Sequence, residues 1–329
     1  MLLLALLAVL LASGMLYQWV GERRDARRYP APGRYVAGVH VYETGLDRAD
    51  GPVVILEAGI SASSISWRLV QDKLGASVRV ASYDRAGFGW SPAQPTPRTL
   101  DNLLAELHAW LMASGLPSPY ILVGHSFGGL LLCHYAARHR ALVAGLVLVD
   151  PLEPMEWYPL QPGNAHRLGK GVMLARRGAT LAWLGVVRLA LDLLMSGSYT
   201  IPKLLAKISS GKGTSVTDRL LGEVRKMPAE VWPMIRAHWC LPRSFRTMVE
   251  YLERLPEACA KSLDEDALKD VPLMVISASK SDPAVVEAHR RTAAMSVKGV
   301  HIVAEDSGHW VQLDRPDVVI EAIGRVSCK

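Results

Sequence analysis

Gly124, His125, Ser126, Phe127 and Gly128 form a GxSxG pentapeptide between an apolar run, Tyr120–Val123, and a helix-like run, Gly129–His139. A serine hydroxyl is a weak nucleophile until a neighbouring base takes its proton. On a sharp strand-to-helix turn the serine sits in a strained backbone conformation with its hydroxyl exposed. Side chains two positions away on either side would collide there, so both positions favour glycine. The N–H that follows then points to where negative charge develops on an attacked carbonyl, helped by the helix N-terminus. This pattern predicts that Ser126 performs acyl transfer. His125 is adjacent in the turn and poorly placed to reach the Ser126 hydroxyl, so it is read as packing against or lining the site.

The base is read at His309. Asp306, Ser307, Gly308, His309 and Trp310 follow the apolar run Val300–Val303 and precede the helical stretch Pro316–Val326. His309 therefore lies in a loop at the carboxyl end of a strand, where ligands bind in wound sheets. The other nine histidines occupy no such loop, and serine before histidine is the chain order this turn requires.

The elements that must position these groups are legible in the hydropathy. From Pro52 to Asp150, short aliphatic runs alternate with longer amphipathic stretches, the pattern of a sheet wound with crossover helices. Val53–Leu56, Val78–Tyr83, Tyr120–Gly124 and Gly145–Val149 are strands apolar enough to be covered on both faces. Between them Leu100, Leu103, Leu104, Leu107 and Leu111 recur at helical spacing, with Thr99 as N-cap and Gly115 as the stop. After Asp150 helical patterns dominate until the strand Pro272–Ser277, followed by Val300–Val303. The fold class is thus α/β, a mostly parallel sheet wound with helices and interrupted by a helical cap. The core is expected at 34–150 and 264–329, and the cap at 151–263.

Charge supports the same division. The chain of 329 residues carries a formal net charge of +6, and between Pro151 and Ala260 stand 15 Lys or Arg against 9 Asp or Glu. The whole basic excess falls in the cap. Within it, Gly178–Ser196 is strongly apolar but holds Arg188 and Asp192 at i, i+4 spacing and is flanked by Arg176, Arg177 and Lys203. It is expected to be a second span, an amphipathic cap helix resting on a bilayer, or ordinary core packing.

Residues 1–20 are almost continuously apolar, close to the length a bilayer requires, and form an expected single-pass transmembrane anchor, with a cleaved signal peptide ending at Ala12–Gly14 as the alternative. Arg23, Arg24, Arg27 and Arg28 follow, which favours a membrane protein with its following domain on the cytoplasmic side. Residues 21–33, with Pro30 and Pro32, are read as a semi-rigid linker. The cysteines Cys133, Cys240, Cys259 and Cys328 form no CxxC pair and are read as buried thiols, without a disulfide scaffold or zinc site.

From about Gly33 to the end the chain resembles the α/β-hydrolase fold family, in its capped serine esterase and lipase-like branch. The resemblance is carried by LEAG at Leu56–Gly59, YDRAGFGWS at Tyr83–Ser91, GHSFGG at Gly124–Gly129, LVLVDP at Leu146–Pro151 and SGHW at Ser307–Trp310. It implies a triad acid in the loop after the strand Pro272–Ser277, at Asp282, with Asp150 at the end of Gly145–Val149 as the alternative. Asp84, Asp306 and Asp314 are read as loop-stabilising. The resemblance also implies oxyanion donors at the Phe127 and Ile60 backbone N–H groups. Here the chain departs from the family's commoner HG form with Glu57, Ala58 and Gly59, and Glu57 is expected to influence substrate charge preference. The implied activity is hydrolysis of carboxylic esters, with a lipophilic small-molecule ester and a membrane as partners and no nucleic acid. No cofactor and no metal is expected: Gly87 and Gly89 begin a GxGxxG pattern that Pro92 breaks, and no HExxH occurs. A peptidase or lyase of the same fold, or a non-catalytic membrane-bound binding protein, remains the alternative.

Overall fold

A computed structural model of the chain describes residues 1–47, 51–198, 223–264 and 266–327. Lys203, Cys328 and part of the expected cap lie outside the described residues. The chain divides into two units, one comprising Met1–Pro32 with Ala165–Glu253, the other Gly33–Asn164 with Arg254–Lys329. The N-terminal segment thus groups with Ala165–Glu253, a stretch that falls within the 151–263 read from the sequence as the cap.

The larger unit is an eight-stranded sheet. Its strands are β1 (Arg34–Val36), β2 (Val39–Thr44), β3 (Val53–Glu57), β4 (Val80–Asp84), β5 (Tyr120–His125), β6 (Val143–Val149), β7 (Leu273–Ala278) and β8 (Gly299–Ala304). Their spatial order is β1-β2-β4-β3-β5-β6-β7-β8. The β1–β2 hairpin is antiparallel and β2 pairs antiparallel with β4, while all later neighbours are parallel. The continuous apolar runs are explained by this topology, since parallel strands covered by helices on both faces have no solvent side. Every residue of β3, β4, β5 and β7 is buried. The helix predicted after Thr99 is found at Leu100–Ser114: the Thr99 side chain accepts from the Asn102 N–H, and Gly115 adopts the left-handed conformation that ends it.

The smaller unit contains α1 (Leu2–Arg28). Residues 21–28, read as linker, continue this helix; they include good helix formers and place Arg27 and Arg28 in the last turn, where the helix dipole favours cations. The same unit holds the helix Val186–Met195, in which Arg188 and Asp192 do not pair with each other. Arg188 instead bonds Gln18 at 3.0 Å and Asp25 at 2.5 Å, and Asp192 pairs with Arg236 at 3.1 Å and accepts from the Tyr17 hydroxyl. Among the described residues α1 alone is by itself long and apolar enough to cross a membrane.

Candidate active site

The chain passes from β5 to the helix Phe127–Arg138 through Ser126, whose φ of 54° and ψ of −122° lie where a side-chain-bearing residue is strained. Backbone bonds from both sides hold that conformation. The Ser126 N–H donates to the Val149 carbonyl at 3.1 Å, and the Ser126 carbonyl accepts from the N–H groups of Gly129 at 2.9 Å and Leu152 at 3.0 Å. The two flanking glycines are required by contact. A Cβ on Gly124 would lie 2.6 Å from the Gly128 carbonyl oxygen, and one on Gly128 would lie 2.7 Å from the carbonyl oxygens of both Glu57 and Ala58. The second clash has a consequence beyond the turn, because it lets the segment after β3 press against the helix that begins at Phe127.

His309 reaches the same region from the loop after β8. Its Nδ1 stands 2.6 Å from Asp150 Oδ2, and a carboxylate can only accept, so Nδ1 carries a proton and donates. The carboxylate that meets His309 is Asp150, at the end of β6. Its φ of 40° turns the carboxylate out of the strand, and its Oδ1 accepts from the Ala278 N–H at 2.9 Å and from the Ser281 hydroxyl at 3.1 Å. Burial works to raise the Asp150 carboxyl, but the hydrogen bond and charge of His309 and the Ala278 N–H outweigh it and hold the group below its ordinary range.

Asp282 is elsewhere. It is the N-cap of the helix Pro283–Ala294, its carboxylate accepting from the Ala284 N–H at 2.8 Å, with proline in the first turn behind it. The structure brings His309 to Asp150, the alternative read from the sequence, and holds Asp282 at the start of a helix. Asp84, at the end of β4, and Asp314, at the end of the short helix Val311–Asp314, both bind backbone. Asp84 accepts from the N–H groups of Ser64 at 2.7 Å and Trp90 at 2.9 Å, and Asp314 accepts from the Gly308 N–H at 2.8 Å.

His125 has a role the sequence did not reveal. Its Nε2 donates to the His309 backbone carbonyl at 2.8 Å, and the two rings lie 4.7 Å apart between centroids. The residue before Ser126 therefore ties down the backbone of the loop that carries His309. Burial, and secondarily the charge of His309, push the His125 ring down to about 3, so it stays neutral and acts as a fixed donor. His289 is a second residue the sequence did not single out. It stands 3.9 Å from Asp150 Oδ1 and donates from Nε2 to the Pro151 carbonyl at 2.8 Å, backing the strand end that presents Asp150.

The loop after β3 completes the arrangement. A Cβ on Gly59 would lie 3.3 Å from Ser126 Cβ and 3.1 Å from His125 Nδ1, so its backbone runs directly against the turn. Arg85 binds this loop from the other side, donating from Nη1 to the Ala58 carbonyl at 2.9 Å and from Nη2 to the Gly59 carbonyl at 2.5 Å. In a planar trans peptide the C=O and the following N–H point in opposite directions. Holding the Gly59 carbonyl on Arg85 therefore directs the Ile60 N–H away from it. Glu57 does not present a free charge as expected from the sequence. It is buried, accepts from Arg85 at 2.8 Å and from the Tyr83 hydroxyl, and so serves as the counter-ion of the arginine. Burial still lifts its carboxyl to about 7, Arg85 and Tyr83 offsetting only part of the cost.

A wound parallel sheet, a strained serine at a strand-to-helix turn and an aspartate-bound histidine after the last strand define a class of hydrolase folds. The chain belongs to the alpha/beta hydrolase family, whose sequence profile matches residues 53–322. It is 32% identical over 127 residues to the human (lyso)-N-acylphosphatidylethanolamine lipase, a match covering 37% of this chain and 35% of that protein. The chain spans less than half the length of the curated relatives it matches. Among solved structures it is similar to the enol-lactonase of Burkholderia xenovorans LB400, with a TM-score of 0.60 and 19% identity over 91% of this chain and 100% of that one. It is similar also to a protein described as an ancestral haloalkane dehalogenase, with a TM-score of 0.63 and 21% identity over 90% and 99% of the two chains. At these identities the structural likeness establishes the fold alone.

Proposed function

We propose that this hydrolase is a serine esterase that cleaves carboxylic esters of lipophilic small molecules through an acyl-enzyme. The observation that carries the reading is the Asp150–His309 pair at 2.6 Å, on a loop tied by His125 to the turn that holds Ser126. With Nδ1 committed to the carboxylate, His309 Nε2 is free to take the Ser126 proton as Oγ bonds to the substrate carbonyl carbon. The carbonyl oxygen becomes an oxyanion, received by the Phe127 and Ile60 N–H groups. Collapse of the intermediate breaks the C–O bond to the alcohol, which leaves with the proton His309 held. Water then attacks the acyl group, giving its proton to His309 and finally restoring it to Ser126 as the carboxylic acid departs. Asp150 stays ionised throughout, fixing the tautomer and stabilising the imidazolium.

A lipophilic substrate and a membrane location are supported by α1, whose Leu2–Leu10 side chains are largely exposed and which ends in arginines, a single-pass anchor with its following domain on the cytoplasmic side. A fluorophosphonate probe tests the activity. It is expected to label the wild-type chain covalently at Ser126 and to leave Ser126→Ala unlabelled. Hydrolysis of p-nitrophenyl esters of increasing acyl length is expected to rise with length. Absence of labelling in folded wild-type protein would make the chain a non-catalytic member of its family.

A further inference from the structure

The C-terminal half of α1 is built into the cap. Gln18 is only 3% exposed and donates to the Cys240 carbonyl at 2.9 Å. Arg188 is 1% exposed, and Asp25 receives both Arg188 and, at 2.6 Å, Arg236. Gly14, Tyr17, Gln18, Gly21 and Asp25 follow one another at helical spacing and form the face that makes these contacts. The glycines permit a close approach. A Cβ on Gly14 would lie 2.3 Å from the Leu184 carbonyl oxygen, and one on Gly21 would lie 2.5 Å from the Arg188 guanidinium carbon.

The contact at Gly14 fixes which part of the cap travels with the apolar half of α1. The helix Pro162–Trp183 and the helix Val186–Met195 meet at an angle of 85° through Leu184 and Gly185, and it is this corner that touches Gly14. Gly185, at φ 75°, makes the bend, and its own Cβ position is blocked by the Gly14 carbonyl 2.5 Å away. Nine residues separate Gly14 from Arg23, about 13 Å along a helix at 1.5 Å per residue. With Arg23 at the membrane surface, the corner lies deeper than a headgroup layer of about 6 Å a side. Its composition suits that depth. Gly178–Val187 carries no charge, Trp183 is exposed, and the charges that follow, Arg188 and Asp192, are paired with Asp25 and Arg236. Arg176 and Arg177 stand before the apolar stretch, and Trp19, with the Arg23 guanidinium 3.4 Å over its ring, marks the boundary on α1.

We propose that the Trp183–Leu184–Gly185 corner of the cap enters the acyl layer of a lipid bilayer beside α1, the two clasped by the Arg188–Asp25–Gln18 cluster, in which Arg188 and Gln18 are buried. The inference rests on the reading of α1 as a membrane helix and adds a second inserted element to it. The test uses the full chain carrying Cys328→Ser, in which the described cysteines are buried, reconstituted in phosphatidylcholine–phosphatidylglycerol vesicles. An environment-sensitive fluorophore is attached at Trp183→Cys or, separately, at Leu10→Cys, and quenched by lipids with a nitroxide on the acyl chain. Both labels are expected to shift to shorter wavelength and to lose fluorescence to the nitroxide. Quenching at residue 10 but not at 183 would overturn corner insertion while the anchor stood, and quenching at neither would overturn both. Gly14→Leu, which forces the corner off α1, is expected to abolish quenching at 183 and keep it at 10. Persistence of quenching at 183 in that variant would overturn the clasp.

Discussion

Replacing Asp150 by asparagine separates the two acids that the sequence offers. Asparagine tolerates the φ of 40° at this position, and its amide oxygen can still accept from the Ala278 N–H, so the backbone and the strand end are retained. The group turned to His309 becomes an NH2. It donates where a carboxylate accepted, which favours the tautomer with its proton on Nε2 and leaves His309 unable to take the Ser126 proton. In a serine triad this exchange lowers kcat by on the order of 10⁴-fold, which at 1.36 kcal/mol per decade corresponds to about 5 kcal/mol of transition-state stabilisation. Asp282→Asn keeps a side-chain oxygen for the Ala284 N–H, and asparagine caps helices about as well as aspartate. That variant is expected to retain kcat within about twofold, since any loss at a cap is felt in stability. Steady-state hydrolysis of a p-nitrophenyl ester, with circular dichroism to confirm folding, reads both. A kcat collapse in Asp282→Asn together with near-full activity in Asp150→Asn would refute the assignment and with it the argument from tautomer control.

Arg85→Met removes both donors from the Ala58 and Gly59 carbonyls. It is expected to lower kcat by roughly 10²-fold, the order of one lost oxyanion donor, with KM little changed, whereas a pure KM effect would show that the arginine does not position the Ile60 N–H. Glu57 gives a stability test with a definite sign. Its carboxyl is raised to about 7 in the folded protein from an ordinary 4.5, so the folded state holds the proton more tightly and its contribution to stability falls as pH rises through that window. Glu57→Gln lacks this titration, and urea midpoints at pH 5 and pH 8 are expected to show the variant gaining on wild type at the higher pH, a constant difference contradicting the assigned burial cost. Asp150 has the opposite sign: its lowered carboxyl stabilises the fold at neutral pH, and that contribution is lost as pH falls below its ordinary value of 3.8. Acid unfolding of Asp150→Asn is therefore expected to be shallower than that of wild type.

The parallel strands, the turn at Ser126 and the loop of His309 could be read from the sequence because each depends on a local pattern. Apolar runs without alternation require cover on both faces, and the glycine at 124 answers a collision within the turn itself, with the Gly128 carbonyl. The β1–β2 hairpin escaped detection for a local reason too. Its two-residue turn is Ala37–Gly38, both at positive φ, and alanine gives no hint of that conformation where asparagine or aspartate would. The carboxylate partner of His309 was harder to read because both aspartates stand before a proline. What distinguishes them is the sequence that follows: Pro283 opens a helix of twelve residues and turns Asp282 into its cap, while the first element after Pro151 is only the single short turn Pro154–Glu156. The clasp between α1 and the cap, and the placement of Glu57 behind Arg85, had no local signature at all. Gln18 and Arg188 are 170 residues apart and Glu57 and Arg85 are 28 apart, so neither partnership follows from spacing. A buried arginine needs a carboxylate wherever the fold brings one, and only the folded chain shows which carboxylate that is.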